Sequence, residues 1–359
     1  MAMHPLAIAA AFATLALVAG SAFAFTKVAK AHVPPLSLTA LRLVIGAAAL
    51  GVTSPVLHRL GRRRHEALDV LAADERKLPL SGLALARTAT AMALLNNVIP
   101  YTLYPIAMNL GINIGVVAVL AATSPLIAAA LVALARRPPT LGRALWPALA
   151  LGLAGVALLY AEALAGKSGK HATARPVSDT LLGYSLVLVA AACKGAAAVV
   201  AEAVLGPRLS YVRLALAQTA AGAVVAVIAA AAVDTWHPLS LSHHYPARMA
   251  WLASMDGSAW GGVVYLGLGG SCLAYLLQFV LVRELGAVRQ VGVDFAVPVV
   301  AAIEGALFFH EWAGQGVALL WPAAGMATIL AALALMHATH RTPPPDSAPS
   351  ERAPLIQGA

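Results

Sequence analysis

The stretch QVGVDFAVPVVAAIEGALFFHEW, residues 290–312, decides the class of fold. It is long and apolar enough to cross a lipid bilayer, which takes about 20 residues as a helix. Yet it carries Asp294, Glu304 and Glu311. A carboxylate at membrane depth costs roughly 2.5–3.5 kcal/mol even on the mildest insertion scales. An acid kept there needs a partner or a task.

The rest of the chain has the same character. Its 359 residues are 60% hydrophobic and 11% charged, against about 45–50% and about 25% in a soluble domain. That excludes an ordinary soluble domain and points to an all-α, polytopic membrane protein. The net charge is +9, but the basic residues cluster between apolar runs and are not interleaved with aromatics. They suit an anionic membrane surface, and nucleic acid is not an expected partner. Cys193 and Cys272 both fall inside apolar runs, which argues against a disulfide framework.

Ten apolar runs bounded by charge, Pro or Gly predict ten transmembrane helices, near 5–26, 35–57, 81–107, 112–135, 144–163, 181–205, 209–233, 259–282, 287–309 and 316–337. The triplet Ala22-Phe23-Ala24 has the form of a signal-peptidase site. The first run is longer than a signal core and has no Lys or Arg before it, so it is read as a span. Of the 24 Lys and Arg, 14 fall in connections on the N-terminal side and 6 on the other, while Arg42, Arg87, Lys194 and Arg213 lie in or near spans. This bias predicts both termini in the cytoplasm of a multi-pass protein. Residues 58–80 form a charged cytoplasmic connection, 164–180 a linker, 234–258 a polar outer segment and 338–359 a disordered cytoplasmic tail.

Landmarks repeat across the midpoint. Arg42 and Arg213 are 171 apart, Pro125 and Pro298 173, and Tyr101 and Tyr275 174. Gly111 and Gly286 are 175 apart, as are Trp146-Pro147 and Trp321-Pro322. Five spans per repeat is an odd number, so the second half must enter the membrane with opposite polarity. The prediction is two inverted five-helix repeats, 1–163 and 181–337. Such an arrangement commonly holds a substrate site near the bilayer midplane.

Three stretches carry a family resemblance: AGSAFAFTKVAKAHVPPLSLTALRLVIGAAAL (19–50), NNVIPYTLYPIAMNLGINIGVVAVLAATSPLIAAAL (96–131) and AYLLQFVLVRELGAVRQVGVDFAVPVVAAIEGALFFHEW (274–312). They resemble the drug/metabolite transporter superfamily, in its EamA-type ten-helix branch, over about residues 5–337. The resemblance implies export or exchange of small organic solutes and names no solute. The chain departs from the pattern in one respect. Glu311 stands after the fourth helix of the second half, while ARRPPT (135–140) puts Pro138 at the first-half position.

The polar residues inside spans are the candidate site. Asp294 and Glu304 are about 15 Å apart along a helix axis and about 80° around it. Either can be a protonatable group on the translocation path, or a carboxyl paired inside the bundle with Lys194 or Arg213. Glu311 reaches the interface, where a capping or loop role is the expectation. Lys194 and Glu202 share the sixth span. Arg42 and Arg213 are expected to snorkel to the headgroups, or as a matched pair to make gate contacts. Asn96, Asn97, Tyr101 and Tyr104 lie around Pro100 and Pro105, which free backbone carbonyls. Tyr275 and Gln278 occupy the related place in the second half. A central path lined by Asn96, Asn97, Tyr101, Tyr104, Tyr275, Gln278, Asp294 and Glu304 follows.

His237, His243 and His244 have no metal-site spacing, so no metal or other cofactor is expected. No phosphate loop or nucleophile–base pair marks an enzyme. ERAPLI (351–356) resembles an acidic-dileucine sorting signal, relevant only in a eukaryotic source. The location expected is the plasma membrane or, in a eukaryote, an internal membrane. The expectation is a secondary transporter moving small metabolites by alternating access, with Glu304, assisted by Asp294, as the protonation switch. Its partners are a small-molecule substrate and the lipid bilayer, with a homodimer left open. The competing class is a non-transporting receptor or intramembrane enzyme.

Overall fold

A computed structural model describes residues 4–63, 82–135, 145–164, 176–205, 211–236, 245–246, 249–285, 293–311 and 319–339, and among these there is no β-strand. The expected cytoplasmic connection after residue 63, the core of the linker, His237, His243 and His244, Gly286, Pro138 and the tail from 340 lie outside the described residues.

Helix α1, Pro5–Ala29, starts where His4 Nδ1 accepts the Leu6 N–H and Pro5 takes the first turn, a position that has no need of its missing N–H. Pro34 and Pro35 then force a corner, and α2 runs Pro35–Arg63. The third expected span is built from α3, Gly82–Met92, a wide π-helical segment Ala93–Val98, and α4, Ile99–Asn109. Pro100 explains the widening, because it cannot donate to the carbonyl one turn back and its ring crowds that oxygen. The Ile99 N–H bonds instead to Leu94 O, five residues back.

The fourth span is split into α5, Ile114–Ala121, and α6, Ser124–Ala135. Pro125 has no N–H to donate to the carbonyl of Ala121 and sits in the first turn of α6, where none is needed. Helix α7 spans Leu145–Leu164, α8 Val177–Leu205 and α9 Tyr211–Val233. Helix α10, Gly257–Tyr265, opens on Asp256, whose carboxylate accepts the Ala259 N–H at 2.8 Å. A second wide segment, Leu266–Leu273, separates it from α11, Ala274–Leu285. Its cause is the glycine-rich run LGLGGSCL, which carries no proline. The two wide segments begin 173 positions apart. Helices α12, Val293–Phe309, and α13, Leu320–Thr339, complete the chain. Pro298 sits inside α12 without breaking it.

Six helices among the described residues are long and apolar enough to cross a membrane: Pro5–Ala29, Pro35–Thr53, Ile114–Leu131, Val177–Val200, Leu214–Val233 and Gly257–Gln278. Three shorter apolar helices, Trp146–Leu159, Ala296–Phe309 and Leu320–Leu335, lie at three of the remaining expected spans. The other expected span is the polar, widened third helix. Leu153, Ile228, Leu307 and Phe308 are exposed, as suits side chains that meet lipid.

Helix α2 packs on α9, α7 on α13, and α1 on α12, while α4 and α6 pack on α8. Helix α2 also lies along the second wide segment, as α9 lies along the first. The largest apolar cluster holds Ile114, Leu120, Leu159, Ile329 and Leu333. The segment 234–258, expected to be polar and outside, also carries apolar packing. A 3₁₀ turn, Ala250–Ser254, tucks Trp251 against Val33, Leu38, Val263 and Leu266, where it is 3% exposed. An indole that size has more to gain from that apolar niche than from water.

Candidate functional site

The two wide segments face one polar cluster. Asn96 and Asn97 stand on the first of them, and Gly270 and Ser271 on the second. The Tyr275 hydroxyl donates to Asn97 Oδ1 at 2.6 Å and accepts from Asn96 Nδ2 at 3.3 Å. This ties the third helix to α11. The Arg42 guanidinium lies 3.7 Å from the centre of the Tyr101 ring. Its Nε donates to Ser271 Oγ at 2.9 Å and its Nη2 to Gly270 O at 3.3 Å. A Cβ at Gly270 would stand 2.9 Å from Nη2, so the glycine makes room for the arginine. The wide turn helps, because shifting the backbone bonding register frees carbonyls for other donors. Close by, the Thr39 and Thr102 hydroxyls are 3.1 Å apart.

Arg42 therefore does not snorkel. It is 7% exposed and surrounded by α4 and the second wide segment, because a stacking ring and two neutral acceptors within reach satisfy it inside the bundle. Lys194 on α8 interacts electrostatically with Tyr104, Tyr101, Asp294 and Arg42. Asp294 stands in the first turn of α12, where the helix dipole favours an anion. Gln278 is half-buried three residues beyond Tyr275. The helices bearing Glu202 and Arg213 are described, but those two side chains lie outside the described ones.

Glu304 is elsewhere. The Ser21 hydroxyl of α1 donates to its Oε1, and Tyr265 of α10 is hydrogen-bonded to the same serine. Glu304 Oε2 is buried with no hydrogen-bond partner among the described residues. This carboxyl occupies the seam between α1 and α12, with Phe25 stacked on Tyr265 at 3.9 Å between ring centres.

Glu311 is at a third place. It ion-pairs with Lys27, and its two oxygens accept the Ile114 N–H at 3.1 and 3.0 Å. It thus caps α5, a helix of the other half of the chain. Lys27 also lies over the Phe309 ring at 4.7 Å. Nearby, Lys30 Nζ donates to Asn109 Oδ1 at 2.8 Å, and Asn109 Nδ2 to the Tyr245 hydroxyl at 3.0 Å. That hydroxyl donates to Lys30 O at 2.6 Å. Burial pushes the Tyr245 phenol up to about 12. Asp234 accepts both the N–H and hydroxyl of Ser37.

Sequence reading alone missed Ser271, Gly270, Thr39 and Thr102 at the centre, and Ser21 at the seam. The glycine run before Ser271 and the run AGSAFAF around Ser21 were the available signals.

Residues 6–161 match the model of the EamA-like transporter family. A solved structure, titled only as the crystal structure of a protein, is similar in fold over 94% of this chain and 100% of its own, with a TM-score of 0.54 and 20% identity. No curated protein matches the sequence. Over residues 6–161 the chain is thus similar to a family described as EamA-like transporters, and its long apolar helices are those of a multi-pass membrane protein.

Proposed function

We propose that the protein is a secondary transporter that exports or exchanges small organic metabolites by alternating access, with protons coupled through Glu304 and Asp294. In this reading ten helices cross the bilayer as two inverted repeats, 1–163 and 181–337, with both termini cytoplasmic. The observation that carries it is the buried network of Arg42, Ser271 and Tyr101, joined through Tyr101 and Tyr275 to Asn96 and Asn97. Packing alone has little use for it, since an interhelical hydrogen bond in a membrane averages about 0.6 kcal/mol. A guanidinium inside an apolar bundle is expensive, and a path for polar solutes is a reason to keep one.

The packing supports the repeat. Contacts α2–α9 and α7–α13 join elements that the repeat makes equivalent, and α1–α12 has its counterpart in α8–α6. The 173-residue spacing of the wide segments falls among the landmark offsets read from the sequence.

The test is flux from vesicles loaded with amino acids, sugars and nucleosides, with and without an imposed pH gradient. Wild type should lose one solute class down the gradient, and Glu304→Gln and Asp294→Asn should abolish the gradient's effect. Unchanged rate and pH dependence in both variants would sink the coupling assignment. Retention of every solute class by wild type would count against transport.

A further inference from the structure

We propose that the central cluster recognises a small organic monoanion, a carboxylate held between Arg42 and Lys194 with Asn97 and Tyr104 as neutral donors. The inference rests on the transport reading above. Among the described side chains of the cluster there are two cations, Arg42 and Lys194, and one carboxylate, Asp294. Among the described residues Arg42 meets only neutral acceptors, Ser271 Oγ and Gly270 O. An excess charge in a low-dielectric interior is costly unless something of opposite sign balances it. Among the described side chains, the cluster is one negative charge short.

The hydrogen-bond inventory leads to the same class. Asn97 is 0% exposed, and its Oδ1 is taken by Tyr275, while its Nδ2 has no acceptor among the described residues. The Tyr104 hydroxyl, on a side chain 5% exposed, likewise has no partner there. Both groups can donate. They are seven positions apart on the third helix, about 10 Å along the axis and nearly on one face. Tyr101 lies between them under Arg42, and Lys194 interacts with both tyrosines. Two unfilled donors and an excess cation call for an acceptor-rich ligand with one negative charge. An amine would add a third cation. A phosphomonoester would bring about 1.5–2 charges against an excess of one.

The test uses purified protein in detergent at constant ionic strength. Its melting is followed with straight-chain and aromatic carboxylates of two to ten carbons, each beside the amide, amine and monophosphate ester of the same skeleton. At least one carboxylate should raise the melting temperature more than its three matched compounds. Lys194→Gln should weaken that acid about tenfold or more, and Lys194→Arg should restore binding. Asp294→Asn removes the opposing charge and should tighten it. Each variant's own unliganded melting shows that it is folded. The assignment is overturned if no carboxylate stabilises, if an amide, amine or phosphate ester does so as well as the acid, or if Asp294→Asn weakens the acid. Vesicle flux of the same panel separates this failure from that of transport. A neutral or cationic solute carried while no acid is carried overturns the anion site alone, and an acid that binds but is not carried overturns transport alone.

Discussion

Asp294, Glu304 and Glu311 share one stretch of sequence and have three different sets of neighbours. Asp294 interacts with Lys194, Glu304 accepts from Ser21, and Glu311 pairs with Lys27 while capping Ile114. The consequences of removing them should differ accordingly. Glu311→Ala takes the acceptor from a helix N-terminus, and an orphaned buried donor costs about 1–3 kcal/mol. Lys27, 28% exposed, loses its ion-pair partner as well, which adds to that cost. The variant should melt well below wild type in detergent, with Glu311→Gln between them because an amide oxygen still accepts. Equal melting of Glu311→Ala and wild type would remove the cap from the account.

Two glycines separate packing from site-building at the scale of the helices. In the α7–α13 seam, a Cβ on Gly155 would stand 2.9 Å from both Gly325 O and Ile329 N. Backbone cannot give way there without moving a helix, so Gly155→Ala should lower stability by about 1–3 kcal/mol, as overpacking does. On the second wide segment, the nearest atom to a Cβ on Gly270 is Arg42 Nη2, at 2.9 Å. That is the free end of a long side chain, which can swing aside. Gly270→Ala should therefore lose less stability than Gly155→Ala yet lose most of its flux, because the guanidinium leaves Tyr101 and Ser271. Melting curves and vesicle flux on the two variants check the contrast. A strongly destabilised Gly270→Ala with normal specific flux would refute it.

For the whole molecule, the proposed inverted repeat makes a claim about sides. Trp236 follows α9 and is 63% exposed, Val177 begins α8, and Leu83 lies near the start of the third helix. With ten spans and a cytoplasmic N-terminus, positions 236 and 177 face outward and 83 faces the cytoplasm. Single cysteines there, with Cys193 and Cys272 replaced, should react with an impermeant thiol reagent on intact cells at 177 and 236. The cysteine at 83 should react only after permeabilisation. Labelling of 83 on intact cells, or of 177 only after permeabilisation, would break the ten-span topology.

The sequence by itself determined the membrane class and most of the helices, because bilayer crossing depends on a local property, the run of apolar residues. It also pointed to the third helix as unusual, since Pro100 and the two asparagines act within a turn of themselves. Tertiary structure decided the partners. Arg42 looks like a snorkelling arginine until the second wide segment brings Gly270 and Ser271, more than 200 residues on, against it. Glu304 finds its partner only when α1 lies on α12 and brings the Ser21 hydroxyl to it. Such assignments depend on which helices touch. In spans that are apolar all round, no periodicity announces the touching face; close packing of small residues and the pairing of a few buried polar groups select it.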